Sequence, residues 1–224
     1  MPQAGTRFTV KTDGFDAQTF AVVSFHLVQS YSSLFTLDIH VISDSTDLKA
    51  TDLLEQNVTL TVWQGRTPQR HITGLIADVE HGEQDGHKMN YSLRVYPPFW
   101  RSSLRQNFRH FHQQDIENIV AHLHEPETAE GRSNSPGLWP GVCFTLTDHP
   151  AEDLNRNWQV VASTLHSEQP QAVPGNRGKG TTLVNDFQAI PADKTWRPAP
   201  LTKPKVDVPQ PAVVTGPAGA DTGR

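Results

Sequence analysis

Hydrophobic and polar positions alternate through the first hundred residues. Phe35, Leu37, Ile39 and Val41 take every second place in LFTLDIHVIS. Val58, Leu60 and Val62 do so in NVTLTVW, and Tyr91, Leu93 and Val95 in YSLRV, which Pro97 and Pro98 stop. A period of two puts these side chains on one face of a strand, as in a sheet with one wet side. RFTVKTD and TFAVVSFHL predict two more strands, joined by the loop GFDAQ. RHITGLIADVEH predicts another, and the turn-rich HGEQDGHK links it to YSLRV. Six strands at this spacing, with short polar loops, predict a barrel or sandwich. Gly74, inside a strand pattern, marks a bulge or sharp bend.

The period then changes. In QQDIENIVAHLHE, Ile116, Ile119, Val120 and Leu123 form one apolar stripe at helical spacing. Asp115 and Glu117 near its start, with His122 and His124 near its end, suit the helix dipole, and Pro126 bars continuation. EPETAEGRSNSPG is polar and turn-rich. GVCFTLTDH, NWQVVASTLHS and TLVNDFQAI then predict about three further strands. Three strands leave unpaired edges, so this segment either docks on the first barrel or lacks order. From Pro191 the texture is that of an extended, mobile connector, with seven of the 17 prolines. Only Trp196, Leu201, Val206, Val208, Val213 and Val214 offer it apolar docking groups. The expected class is mainly β (α+β): a β-barrel with one short helix. The expected units are a barrel over 1–109, a helix over 110–125, a partial second β-segment over 126–190 and a connector over 191–224.

Composition narrows the partners. The 224 residues carry a net charge of −5 with 19 Lys and Arg, which is no basic footprint for nucleic acid or an anionic membrane. A chain this long buries roughly 70% of its unfolded surface, so it needs no disulfide or metal to hold a core. The single Cys143 excludes an intramolecular disulfide and a cysteine-based zinc site. No apolar run reaches the length of a membrane span, and MPQAGTRFTVKTDG has no apolar signal-peptide region.

Candidate chemistry is sparse. His110 with His112 and His122 with His124 are two His-x-His pairs. In a helix the second pair points to opposite sides, and neither pair has an evident third ligand. GNRGKGTT, over 175–182, lacks the first glycine of a phosphate-binding loop, since position 173 is Val, and a strand pattern follows it where a helix is needed. Cys143 lies between apolar neighbours, which predicts a small buried strand residue. A nucleophile reading pairs it with His149, six residues on. No catalytic, cofactor-binding or metal residue is assigned, and no enzyme is predicted.

The assembled motifs resemble the VgrG proteins, spike and hub components of type VI secretion systems. FAVVSFHLVQSYSSLFTLDIHVISDSTDLKATDLLEQNVTLTVW is similar to their opening, with Glu55 standing where a glycine is usual. Tyr-x-Leu-x-Val-x-Pro, a Trp and a Leu then lead into the first helix. GRSNSPGLWPGVCFTLTDHPAEDLNRNWQVVASTLHS and NDFQAIPADKTWRPAP, with a closing AVVTGPAG, continue the likeness, and only 125–130 is unmatched. The resemblance implies a phage tail hub-like fold and a non-enzymatic role. It implies a trimer capping a hexameric tube protein, with possible effectors or adaptors, and no nucleic acid or small-molecule substrate. It implies cytoplasmic assembly and export by the type VI route without a signal peptide. The family's long middle stretch has no counterpart after His124, and AVVTGPAG is followed by ADTGR rather than an OB-fold and needle. The resemblance therefore implies an internally deleted, truncated hub. Rival readings are a contractile phage or tailocin baseplate hub, and a toxin of hydrolase type built on Cys143 and His149.

Overall fold

The computed structural model describes residues 5–45, 48–85, 88–104, 128–175 and 180–196. The strands are β1 (Thr6–Thr12), β2 (Ala21–Ser30), β3 (Ser33–Ser43), β4 (Asn57–Gln64), β5 (Thr67–Asp85), β6 (Lys88–Tyr96), β7 (Ala129–Ser133), β8 (Cys143–Thr145), β9 (Asn157–Glu168) and β10 (Thr182–Pro191). One helical turn, α1 (Ala50–Leu53), precedes β4. The helix expected over 110–125 lies outside the described residues, as do 197–224.

All ten strands form one antiparallel sheet. Its order is β1-β4-β5-β6-β3-β2-β9-β10-β7, with β8 beside β9. The alternating positions read from the sequence are its core. Leu37, Ile39 and Val41 meet Val58, Leu60, Val62, Tyr91, Leu93 and Val95 in one buried cluster. Leu53 of α1, at 0% exposure, plugs that cluster. Leu165 and Leu183 enter it from the second β-segment.

The expected closed barrel is not formed. The first six strands curl until β1 and β2 face each other, and Phe8 meets Phe25 edge to face at 5.1 Å. Yet the outer edge of β2 from Ser24 to Ser30 is taken by β9. Among the described residues, β1 therefore finds no strand partner on that side. The side chain of Gln169 fills the gap instead. Its Oε1 accepts from Phe8 N–H at 2.9 Å and its Nε2 donates to Val22 O at 3.2 Å. A side-chain amide here stands in for one rung of a missing ladder.

The second segment joins this sheet directly on β2, with four strands rather than three. The polar stretch read as turns contains β7, which pairs Ala129–Ser133 with Asn185–Ala189. Glu130 and Arg132 project from its exposed positions. A short, charged edge strand is a usual guard against unwanted pairing. Gly131 lies opposite Phe187, where an added Cβ would stand 2.4 Å from the ring. HGEQDGHK is not a loop either, because β5 runs to Asp85 and β6 begins at Lys88.

Two backbone positions explain local sequence choices. At Gly74 β5 passes from its β4 partner to its β6 partner. A Cβ there would lie 2.5 Å from Tyr96 O, so glycine permits close approach. The register shifts of the two β5 ladders lie elsewhere, at Val62/Trp63, Ile76/Asp78 and His81/Gln84. Glu55 has φ 64°, left-handed backbone that favours glycine. The chain thus keeps a conformation suited to the family's usual residue. Glu55→Gly is expected to stabilise the fold by about 0.5–1 kcal/mol, despite losing the exposed bridge to Arg101 at 3.0 Å. A lower urea midpoint than wild type would refute this.

Candidate assembly surface

The register sets one end of the sheet apart. Leu37 pairs with Val95, so the β2–β3 hairpin tip lies beside the residues that follow β6. Those residues form a 3-10 helix over Pro98–Leu104. Trp100 stacks on Tyr96 at 5.3 Å, and this leaves Phe99 and Leu104 turned out, at 72% and 62% exposure. Arg101 ties the helix to Glu55, next to exposed Leu54. Tyr31 and Leu34 at the hairpin tip are also exposed. So much apolar surface at one end of a sheet marks an interaction site more readily than a folding need.

A groove of about 490 Å³ opens on the neighbouring flank, between Gln29, Phe35, Arg70, His71 and Trp139. Arg70 on β5 is only 8% exposed. Its guanidinium donates to Gln29 Oε1 and, at 3.2 Å, to Pro136 O. Trp139 covers it with its ring centroid 5.0 Å away. The loop that brings Pro136 and Trp139 here is held from behind. Buried Asn185 on β10 donates to Ser135 O at 3.1 Å and to Leu138 O at 2.8 Å. Burial lowers the Arg70 pKa well below its ordinary value, to about 10. The charge persists at neutral pH, and because the folded value is the lower one, its burial cost lifts only above about pH 10. Arg70 opens RHITGLIADVEH and Asn185 opens NDFQAIPADK, but neither stretch shows these roles, which depend on a loop more than sixty residues from Arg70.

Cys143 and His149, singled out by sequence, are each placed by local structure. Cys143 is exposed, not buried, because β8 is a three-residue edge piece beside β9. His149 is engaged locally: its Nδ1 accepts from Ala151 N–H at 3.1 Å, and its backbone pairs with the Asn155 side chain. His110, His112, His122 and His124 lie outside the described residues. Of the glycine-rich loop, 176–179 lie outside them too, and Thr182 begins β10 rather than a helix. Trp196, at the start of the connector, faces Tyr31 at 6.4 Å. Among the described residues no helix is long and apolar enough to cross a membrane.

Comparison with known proteins places this geometry. Residues 29–127 match the family model of the phage tail baseplate hub (GPD). Over 94 residues, 42% of the chain, it is 44% identical to the type VI secretion system spike protein VgrG3 of Vibrio cholerae. The chain is similar to the VgrG spike proteins over this hub region. Over 112 residues, half of the chain, it is 41% identical to the actin cross-linking toxin VgrG1 of the same species. These matches span 9% and 10% of those proteins, so the chain matches about a tenth of their length. The matching region is the structural hub. A solved E. coli type VI component, described as structurally similar to the bacteriophage T4 tail proteins gp27 and gp5, shares the fold. The likeness has a TM-score of 0.60 at 15% identity, over 85% of this chain and 79% of the other.

Proposed function

We propose that this chain is a non-enzymatic hub component at the tip of a type VI contractile tube. The observation that carries the reading is the baseplate-hub match over 29–127, which runs from the hairpin tip through Pro98–Leu104. The exposed apolar end described above falls mostly within it. In this reading that end docks on the terminal ring of the hexameric tube protein, in a trimer of hub chains. The chain assembles in the cytoplasm and leaves by the type VI route, with or without an effector or adaptor. Residues 1–109 form the main hub unit, 110–125 a helix, 126–190 a second hub segment and 191–224 a connector.

The test is size-exclusion chromatography with light scattering, with and without the tube protein. Co-elution is expected. Phe99→Asp, at a side chain that is 72% exposed, should weaken it at least about tenfold. A monomer that ignores the tube protein would sink the reading. The family model's phage description supports a second reading, a baseplate hub of a contractile phage or tailocin. Preference for a phage tube over the secretion tube in the same assay would select it.

A further inference from the structure

β2 and β9 meet in the one ladder, among the described residues, that joins the first six strands to the last four. Two backbone bonds continue this ladder at its ends. Gln169 N–H donates to Val23 O at 2.6 Å and Tyr31 N–H to Val161 O at 3.2 Å. Hydrogen-bonded pairs recur at every second residue of an antiparallel ladder. The bonded pairs are therefore Phe25 with Ser167, Leu27 with Leu165, and Gln29 with Ser163. His26 and His166 are directly opposed between them, as a non-bonded pair. At such pairs the Cα atoms approach to about 4.5 Å and the side chains stand closest.

Both imidazoles face solvent, because the flanking Phe25, Leu27, Leu165 and Ser167 point into the protein. Their ring centroids are 6.0 Å apart, with planes inclined by 59°. Glu168, two residues along β9 and so on the same face, brings Oε1 to 3.8 Å from His166 Nε2. Asp38, opposite His26 on β3, is engaged by Arg94 at 2.8 Å.

We propose that His26 and His166 bind a borderline divalent cation, Zn²⁺, Ni²⁺ or Cu²⁺, across this seam. Glu168 is the accessible third ligand and water completes the shell. Imidazole nitrogen with a carboxylate suits these ions. A cation about 2.0–2.1 Å from one nitrogen of each ring brings the centroids to about 5 Å. That is a side-chain rotation from the observed spacing. The three side chains do not yet converge: among the described residues no group of three or more His, Cys, Asp or Glu is placed to hold a metal. The ladder fixes the two Cα positions, and the ion supplies the final closure. A bound ion links β2 to β9 and straps the second segment to the first. It binds the folded chain only, so it raises thermal stability.

The test is calorimetric titration of the full chain with zinc and nickel chloride, with thermal melts alongside. A saturable binding step and a higher Tm with metal are expected. His26→Gln and His166→Gln should each weaken that step about tenfold or more, and leave the metal-free Tm unchanged. His40→Gln and His149→Gln should leave binding intact. In the unmodified protein, nickel should first broaden the ring resonances of His26 and His166. Undiminished binding in the double variant, or first broadening at any other histidine, overturns the proposal.

Discussion

Leu165→Ala is expected to cost about 2–5 kcal/mol, the usual range for emptying a fully buried leucine site. Leu165 is at 0% exposure, opposes Leu27 of β2, and belongs to the cluster built mostly by the first six strands. Only Leu183 accompanies it there from the second segment. The loss is a large share of the about 5–15 kcal/mol that holds a domain together. The chain carries its own reporters. Trp63 and Trp100 lie in the first segment, and Trp139, Trp158 and Trp196 follow it. Urea unfolding should remain one transition, with a lower midpoint for both sets, because the two segments share this core. A loss below about 1 kcal/mol would mean that Leu165 is peripheral. Two separated transitions, with the first segment unmoved, would mean that the segments are independent.

Gln169→Ala should cost about 2 kcal/mol or more, although only one side-chain amide is removed. The amide serves two groups of nearly buried residues, Phe8 N–H and Val22 O. A buried polar group left without a partner loses about 1–3 kcal/mol. The Phe8 amide should exchange with solvent much faster than in wild type. Gln169→Glu sharpens the test. Its carboxylate still accepts from Phe8 N–H but cannot donate to Val22 O. Protonation restores a donor, so the folded-state pKa of this Glu lies above its ordinary value of about 4.3. The recovered stability is present below that value and is lost as pH rises through the folded pKa. A variant whose stability falls on acidification as wild type does would place the seam's closure elsewhere.

Both predictions concern one seam, and the seam was illegible in the sequence. The alternation in LFTLDIHVIS, NVTLTVW and YSLRV named the buried residues, with Phe35 only partly buried, since period two is a property of the local backbone. The strands β1 to β6 and the long β9 and β10 lie where that pattern put them. β7 was hidden because both its faces are polar or small, so it has no alternation to read. α1 was hidden because one turn is too short for a helical period. Cys143 was misread because apolar neighbours do not bury a residue whose strand ends after three positions.

The candidate surface divides in the same way. The VgrG-like motifs carried the resemblance to the hub, and only the structure showed left-handed backbone at Glu55, where the family usually has glycine. Arg70, Trp139 and Asn185 lie in three separate stretches of sequence, and no one stretch shows that they meet. Their contact depends on the second segment lying against the first.

The sequence by itself determined which faces are buried, where most strands run and which family the chain resembles. Each of these is written in spacings of a few residues. Only the tertiary structure decided how the sheet ends. β2 offers one outer edge, and both β1 and β9 are strands able to take it. Backbone donors and acceptors are the same for every residue, so local pattern cannot rank the two. The choice falls to β9 because Leu165 and Leu183 then enter the common core, while Gln169 satisfies the β1 groups left over. That balance is struck between residues about 150 apart in the chain, and it makes an open sheet of what the spacing alone describes as a barrel.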